Sequence, residues 1–330
     1  MIIANPIYDT VFKRLMENKR CAKFFIQTLT GEQVKEIAMV PQEYTYYAKV
    51  QKDQQRIEQQ EDKHNIEKQE GKEHKGDWEV LSIIRYDFVA TIHNADGEYK
   101  KVIVEIQKSS KPADLMRFRT YLSEQYKQRD VVEVSSGKVE RALPIICIYL
   151  LGFKLTNIRA AAIKVCRTYF DLIGQTEIKQ KNKWIEALTH DGYFVQIPYI
   201  QGKPRTMLES VLCIFEQRFF IDDKNTVKEY EYPIEDEELE KMVEILKYAA
   251  SDPKTKREME EAWWADENEK EYQRVEKELN ETIMAFEESK KWLEESQKSL
   301  EESQKSLEEK EKCLAEKDKE IAELKRALGR

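Results

Sequence analysis

The stretch Leu81 to Lys108, LSIIRYDFVATIHNADGEYKKVIVEIQK, constrains the fold of this chain more than any other. Two runs rich in β-branched and aromatic residues flank Asn94-Ala95-Asp96-Gly97, and an Asp-Gly step between such runs signals a β-hairpin. If Ala95-Asp96-Gly97 forms the loop, with Gly97 in the left-handed conformation, Asn94 lies opposite Glu98. Counting back, Ile84, Tyr86, Phe88, Ala90 and Ile92 then share an apolar face with Val102, Val104 and Ile106. The other face carries Arg85, Asp87 and Val89 against Ile103, Glu105 and Gln107, and sets Asp87 directly across from Glu105. A two-residue loop would shift the pairing by one and scramble both faces, so the apolar pattern selects the register.

Directly opposed residues hold their β-carbons roughly 4.5–5.5 Å apart, a separation at which two carboxylates repel. Something positive must sit beside them. A shared divalent metal is one reading; neutralisation by Arg85, Lys101 or another lysine on a solvated face is the other. Spacing alone leaves both open.

Asp87, an Asp-Gly hairpin and then Glu105-Ile106-Gln107 on an apolar strand resemble the PD-(D/E)XK nuclease superfamily. In particular they look like the bacterial Rpn-type recombination-promoting nucleases, also called PD-(D/E)XK nuclease family transposases. NPIYDTVFKRLM near the start, PQEYT at Pro41 to Thr45, MRFRTYLSEQY at Met116 to Tyr126 and ALPIICIYLLG at Ala142 to Gly152 fit the same family, as does the heptad tail. The resemblance covers most of the chain. E-x-Q alone has little weight, because it recurs at Glu58/Gln60, Glu67/Gln69, Glu271/Gln273, Glu295/Gln297 and Glu302/Gln304.

The resemblance implies an α/β fold with a mixed sheet and a restriction-endonuclease-like αβββαβ core. It also implies a metal-dependent endonuclease acting on DNA. Mg²⁺, with Mn²⁺ or Ca²⁺ as substitutes, would be held by Asp87, Glu105 and the backbone carbonyl of Ile106. Asp9 matches the acidic residue that the first helix of the superfamily can lend. Gln107 stands where the superfamily usually has a lysine; it can orient a water but lacks an ammonium's charge. Lys108 alternates to the opposite face. Arg85, Arg117, Arg119, Tyr121, Gln125 and Tyr126 are the implied substrate contacts.

Composition bounds the partners. Residues 266–330 hold 20 acidic and 14 basic residues, a net of −6 out of the chain's −8, which leaves the first 265 near neutral. A nucleic-acid surface must therefore be a local basic patch. Cys21, Cys147, Cys166, Cys213 and Cys313 form no C-x-x-C and no even framework, so free thiols in a reducing cytoplasm are expected. No signal peptide opens the chain, and no apolar run approaches the length of a membrane span. His64, His74, His93 and His190 make no zinc spacing and no triad signature.

In chain order, Asn5-Pro6 predicts a helix start, with Ile7, Val11 and Leu15 as its apolar stripe and Gly31 closing the helix after it. Asp9 and Lys13, four apart, also read as a surface ion pair. Val34 to Ala48 predicts one strand. A polar insertion follows at residues 49–77, with too few apolar residues to bury anything. Lys111 to Arg129 predicts a helix with Leu115, Phe118, Leu122 and Tyr126 on one side, and Ala142 to Leu151 a strand buried on both faces. Further strands are expected at Ala161 to Ile173 and Tyr193 to Pro198, around a short helix at Lys183 to Leu188. Thr206 to Phe219 reads as an amphipathic helix, and Trp263-Trp264 as an apolar patch packing back on the domain.

This gives a nuclease-like domain at 1–230, a helical connector at 231–265 and a long charged helix at 266–330. In the last, Leu293, Leu300, Leu307, Leu314, Ile321 and Leu328 fall seven apart, while Ser289, Ser296, Ser303, Lys310 and Lys317 occupy the companion position. Half a coiled-coil seam predicts a helix with weak self-association. Two rivals to the nuclease reading remain in view: a catalytically weak or inactive nuclease-fold protein that binds DNA or protein, and a coiled-coil interaction protein with a globular cap. The second leaves Asp87, Glu105 and Gln107 on one face without a reason.

Replacing Lys49 to Gly76 by a short Gly/Ser linker should leave stability within about 1 kcal/mol, the scale of changes remote from a core. Denaturant unfolding of the two proteins measures this, and a collapse in midpoint or expression would mean that the insertion packs on the domain.

Overall fold

The computed structural model describes residues 1–49, 78–109, 115–134 and 137–327. The polar insertion beyond Lys49 and the predicted helix opening at Lys111-Pro112-Ala113 lie outside the described residues.

Strand β1 (Ile2–Ala4) leads into helices α1 (Asp9–Glu17) and α2 (Lys19–Thr30). The helix start expected at Asn5 is corrected: α1 begins at Asp9, and Asn5 instead donates to Gln217 Oε1 (3.0 Å) and to the Asn225 carbonyl (2.9 Å). Asn18 caps α2 through the Arg20 and Cys21 amides, and Gly31, at φ 77°, closes it with its N–H on the Gln27 carbonyl. The single strand expected over Val34 to Ala48 is two, β2 (Val34–Met39) and β3 (Glu43–Lys49), because Pro41 has no N–H to donate to a ladder. β3 pairs with β4 (Trp78–Arg85) in a separate ribbon. β5 (Phe88–Asn94) and β6 (Tyr99–Gln107) then form the central hairpin.

Helix α3 (Leu115–Lys127) follows, then a hairpin of β7 (Asp130–Val134) and β8 (Gly137–Arg141), and strand β9 (Ile145–Leu151). Beyond it, the expected Ala161–Ile173 strand is divided into β10 (Ala162–Val165) and β11 (Tyr169–Asp171). Between them Arg167 turns aside to pair with Glu186 (2.9 Å) and Asp191 (2.8 Å). β12 (Thr176–Ile178), α4 (Lys183–Ala187), β13 (His190–Gln196), α5 (Met207–Cys213) and β14 (Val227–Glu229) complete the sheet region. Helix α5 is shorter than the sequence suggests, starting at Thr206, whose side chain accepts from the Glu209 amide.

The central sheet has six strands in the order β10-β13-β9-β6-β5-β2. β6, β9 and β13 run parallel and the other pairs antiparallel, so the sheet is mixed. The hairpin ladder pairs Phe88 with Val104, Ala90 with Val102 and His93 with Tyr99. Continued in both directions, that register sets Asp87 across from Glu105 and Asn94 across from Glu98. Gly97, at φ 79°, makes the turn, and the Asn94 amide donates to the Glu98 carbonyl (2.9 Å).

Phe88, Ala90, Ile92, Val102, Val104 and Ile106 are buried on one face, on the side where the Tyr193 hydroxyl donates to Thr30 at the end of α2 (3.2 Å). Around α1 and α2, Phe12, Phe25 and Phe215 meet at centroid distances of 5.8–6.3 Å. The other face buries Val89, Ile103, Ile145 and Cys147 against Tyr121 and Leu122 of α3. Tyr86 belongs to this second cluster, not with Phe88 as its alternation implied. The chain leaves extended pairing at Tyr86-Asp87, between β4 and β5, and the alternation restarts there. The apolar side predicted for α3 is also corrected: Leu115 is 67% and Tyr126 39% exposed, while Glu124 and Gln125 are buried.

Residues Met1–Ala262 form one compact unit and Trp263–Arg330 a second. Helix α6 (Glu237–Ser251), in the stretch read as a connector, belongs to the first: Leu239, Met242, Val243 and Leu246 are buried, and the helix packs on β1, α1 and α2. Helix α7 (Pro253–Ala327) continues through the second unit. There Trp263 and Trp264 meet edge to face (4.9 Å), with Trp264 55% exposed, and Leu293, Leu300, Leu307 and Leu314 are exposed.

Gly152, just past β9, fixes the end of β6. Its N–H donates to the Gln107 carbonyl (2.7 Å), and a β-carbon there would stand 2.6 Å from the Gln107 and Lys108 carbonyl oxygens. Gly152→Ala should therefore cost about 3 kcal/mol, read by denaturant unfolding, because backbone on three sides cannot give way. An unchanged midpoint would mean that the end of β6 moves freely.

Candidate active site

The hairpin brings two carboxylates to the C-terminal end of β6, where the sheet meets α3. Asp87 sits in the bend before β5, half-buried, and its Oδ2 accepts the Ile106 N–H at 2.5 Å. The amide of Ile106 thus fixes the Asp87 carboxylate. Glu105 is 2% exposed, and among the described residues neither of its carboxylate oxygens has a hydrogen-bond partner of normal geometry. A buried carboxylate left this way costs several kcal/mol unless it takes up a proton or a cation.

Burial raises Asp87 to about 6 against the Ile106 hydrogen bond, which lowers it, and the negative charge of Asp9 raises it further. Glu105 is raised well above the usual carboxylate range, first by burial and then by the charge of Asp87, with Arg117 and the nearby Asp87 backbone N–H opposing. The charge of Asp9, in the first turn of α1, is felt at both carboxylates, while its own side chain pairs with Lys13 at 2.8 Å. Arg117 is the counter-charge from α3. Burial lowers its pKa, but Tyr121, Glu105 and Asp87 outweigh this and raise it. Its guanidinium lies 5.4 Å from the centroid of the Tyr121 ring.

Other residues implied by the resemblance are dispersed. Arg85 is exposed and pairs with Glu43 across the β3–β4 ribbon (2.8 Å), away from Asp87. Lys101 is held by Asp130 (2.5 Å). Neither of the lysine or arginine neutralisers named for the sheet face is therefore engaged with Asp87 or Glu105. Arg119 is exposed, two residues from Arg117 and so on the opposite side of the helix. Tyr126 is hydrogen-bonded to His190 Nδ1 (3.1 Å), at the start of β13. Gln125 is 2% exposed, and among the described residues neither its amide oxygen nor its amide nitrogen has a partner. Gln107 is half-buried at the end of β6. Lys108 lies on the other side, its Nζ 3.8 Å from the centroid of the Tyr8 ring.

Two contributors carry little signal in the local pattern. Lys13 adds a positive charge felt at Asp87. Tyr149, opposite Glu105 in the β6–β9 ladder, closes the site with an aromatic wall: its ring meets Phe118 at 5.3 Å and stacks on Phe194 at 5.0 Å. The i, i+4 pairing of Lys13 with Asp9 is the only local hint of the first, and Tyr149 is hidden in an apolar run.

Among the described residues no three His, Cys, Asp or Glu side chains form a metal-binding group. The donor chemistry at Asp87 and Glu105 nevertheless suits a hard divalent cation. Both ligands are carboxylates, and the orphaned oxygens of Glu105 are the kind of buried acceptor that such an ion satisfies. Comparison with protein-family models, with curated proteins and with solved structures returned no significant match.

The raised carboxylates make stability depend on pH with a definite sign. In the window between the ordinary value of 3.8 and about 6, the folded chain keeps a proton on Asp87 that the unfolded chain has released. Stability should therefore rise as pH falls through this window. In EDTA, lowering the pH from 7.5 to 5 should favour the wild type over Asp87→Asn/Glu105→Gln by at least about 1 kcal/mol, the share of Asp87 alone, with Glu105 adding in the same direction. Urea midpoints at the two pH values measure it; equal responses would mean that the carboxylates are not desolvated.

Proposed function

We propose that the chain is a metal-dependent nuclease that hydrolyses phosphodiester bonds, with DNA as its substrate and Mg²⁺ as its ion. The observation that carries this reading is Glu105, a buried carboxylate whose oxygens have no hydrogen bond of normal geometry among the described residues, across the hairpin from a second carboxylate of raised pKa. The element order around it, a helix, three strands of the central sheet, a helix and a further strand parallel to the third, supports the PD-(D/E)XK reading of Asp87 and Glu105-Ile106-Gln107.

Asp87 and Glu105 would hold the ion, which when bound polarises a phosphoryl oxygen and lowers the pKa of its water. The chain supplies the rest. The Ile106 N–H fixes the Asp87 carboxylate. Asp9 adds negative charge that favours a cation, while Lys13 keeps one positive charge beside Asp9. Arg117, at the open side of α3, can meet a phosphate oxygen, and a guanidinium is suited to that by its fork of donors. Gln107 can orient a water through its amide. A second reading, a weakly active or inactive nuclease fold that binds DNA or protein, is favoured by Gln107 itself, which places an uncharged amide where an ammonium would stabilise developing charge.

Purified protein should relax and linearise plasmid DNA with Mg²⁺ or Mn²⁺ and not with EDTA. Asp87→Ala and Glu105→Ala should each lower the rate at least about 100-fold, the scale of removing a central catalytic group. Either ion should also raise the wild-type melting temperature and leave Asp87→Asn/Glu105→Gln unmoved. An equal rise in both proteins would place the ion elsewhere. Ion binding without cleavage would select the second reading.

A further inference from the structure

A second feature of the first unit is unused by the carboxylate site: the hairpin β11–β12 and the start of α4. Ile173 is 96% exposed and Leu172 79%, side by side at the hairpin tip, with Phe170 (52%) beneath and Trp184 (72%) at the first turn of α4. Scattered exposed apolar residues need no explanation, but consecutive ones on a fixed turn do. The turn is fixed: Asp171 Oδ1 accepts the Ile173 N–H (2.9 Å), and Gln175, at φ 54°, donates from Nε2 to the Leu172 carbonyl (2.7 Å). The base is fixed as well. The Tyr169 hydroxyl donates to Glu186, Arg167 binds Glu186 and Asp191, and Lys181 donates to the Arg167 carbonyl (2.8 Å).

Charge identifies the occupant. In a chain of net charge −8, the segment that returns from the tip, residues 176–183, carries three basic side chains and one acidic. Lys179, Lys181 and Lys183 are exposed on the segment that returns from the tip. A stiff β-ribbon with an apolar tip and a basic flank is complementary to a polyanion whose interior is apolar and stacked, which is a nucleic-acid duplex. We propose that this hairpin is a DNA-contacting arm, with its lysines along the phosphates and Leu172-Ile173 entering the minor groove. The proposal rests on the reading of the protein as a DNA nuclease and names where that DNA is gripped.

The test uses the full chain, a fluorescein-labelled DNA duplex and EDTA, so that binding is measured without cleavage. Lys179→Gln/Lys183→Gln should weaken binding and reduce the slope of log affinity against log salt by about 1.8, or 0.9 per phosphate contact. Leu172→Ser/Ile173→Ser should weaken binding at least about tenfold with the slope unchanged, since burying two such side chains is worth that much or more. Both substitutions replace exposed side chains, so melting temperatures should stay at the wild-type value; a fall would show that the hairpin is structural and overturn the proposal. Wild-type affinity in both variants overturns it. So does an effect confined to binding of phosphatidylserine vesicles, which would make the arm a membrane contact. The two readings fail separately. Hairpin-dependent binding by a chain that never cleaves DNA with Mg²⁺ keeps the arm and sinks the nuclease, and cleavage with hairpin variants that bind normally does the reverse.

Discussion

The pairing of Asp87 across from Glu105 is the constraint on which the rest of the structure depends. The charges of the two carboxylates oppose it, since burial raises both and the charge of Asp87 raises Glu105 further. What enforces it is the opposite face. Phe88, Ala90, Ile92, Val102, Val104 and Ile106 are all nearly inaccessible to water, and a slip of one residue would carry every one of them to the wrong side. Burial of a large apolar side chain is worth about 1.5–3 kcal/mol, so the set outweighs one orphaned carboxylate. The apolar core holds the acidic pair in a geometry that the pair alone would leave. A cation or a proton relieves it, which is why the electrostatic strain lies in the site and not in the fold.

The legible part of this arrangement was the part with a two-residue period. Gly97 at a left-handed turn, the apolar alternation and the buried run Ile145–Leu151 each leave a local pattern, and together they define the ladder around Glu105. What the sequence hid has a different physical origin. Tyr86 falls where extended pairing is interrupted, so counting by twos carried it to the wrong face. Asn5 has the chemistry of a cap, yet its partners are Gln217 and Asn225, more than two hundred residues away, and no local window reports them. The buried side of α3 includes Glu124 and Gln125, polar residues that an apolar stripe passes over. Helix α6 reads as a connector until β1, α1 and α2 are in place to receive its buried leucines.

Arg117 and Tyr126 lie in one motif and yet serve opposite ends of the sheet, and the crossover explains why. β6 and β9 are parallel neighbours, so the chain must return from the end of β6 to the start of β9, and α3 lies along that return. Its first turn therefore starts near the C-terminal end of β6, where Glu105 lies, and its last turn ends near the N-terminal end of the parallel strands. Arg117 is in that first turn and its charge is felt at Asp87 and Glu105. Tyr126, nine positions on, is about 13 Å further along the axis and meets His190 at the start of β13. A helix thus divides a contiguous motif into an end that faces the carboxylates and an end that cannot, and the topology of the sheet, more than the identity of the residues, decides which of them lie beside the acidic pair.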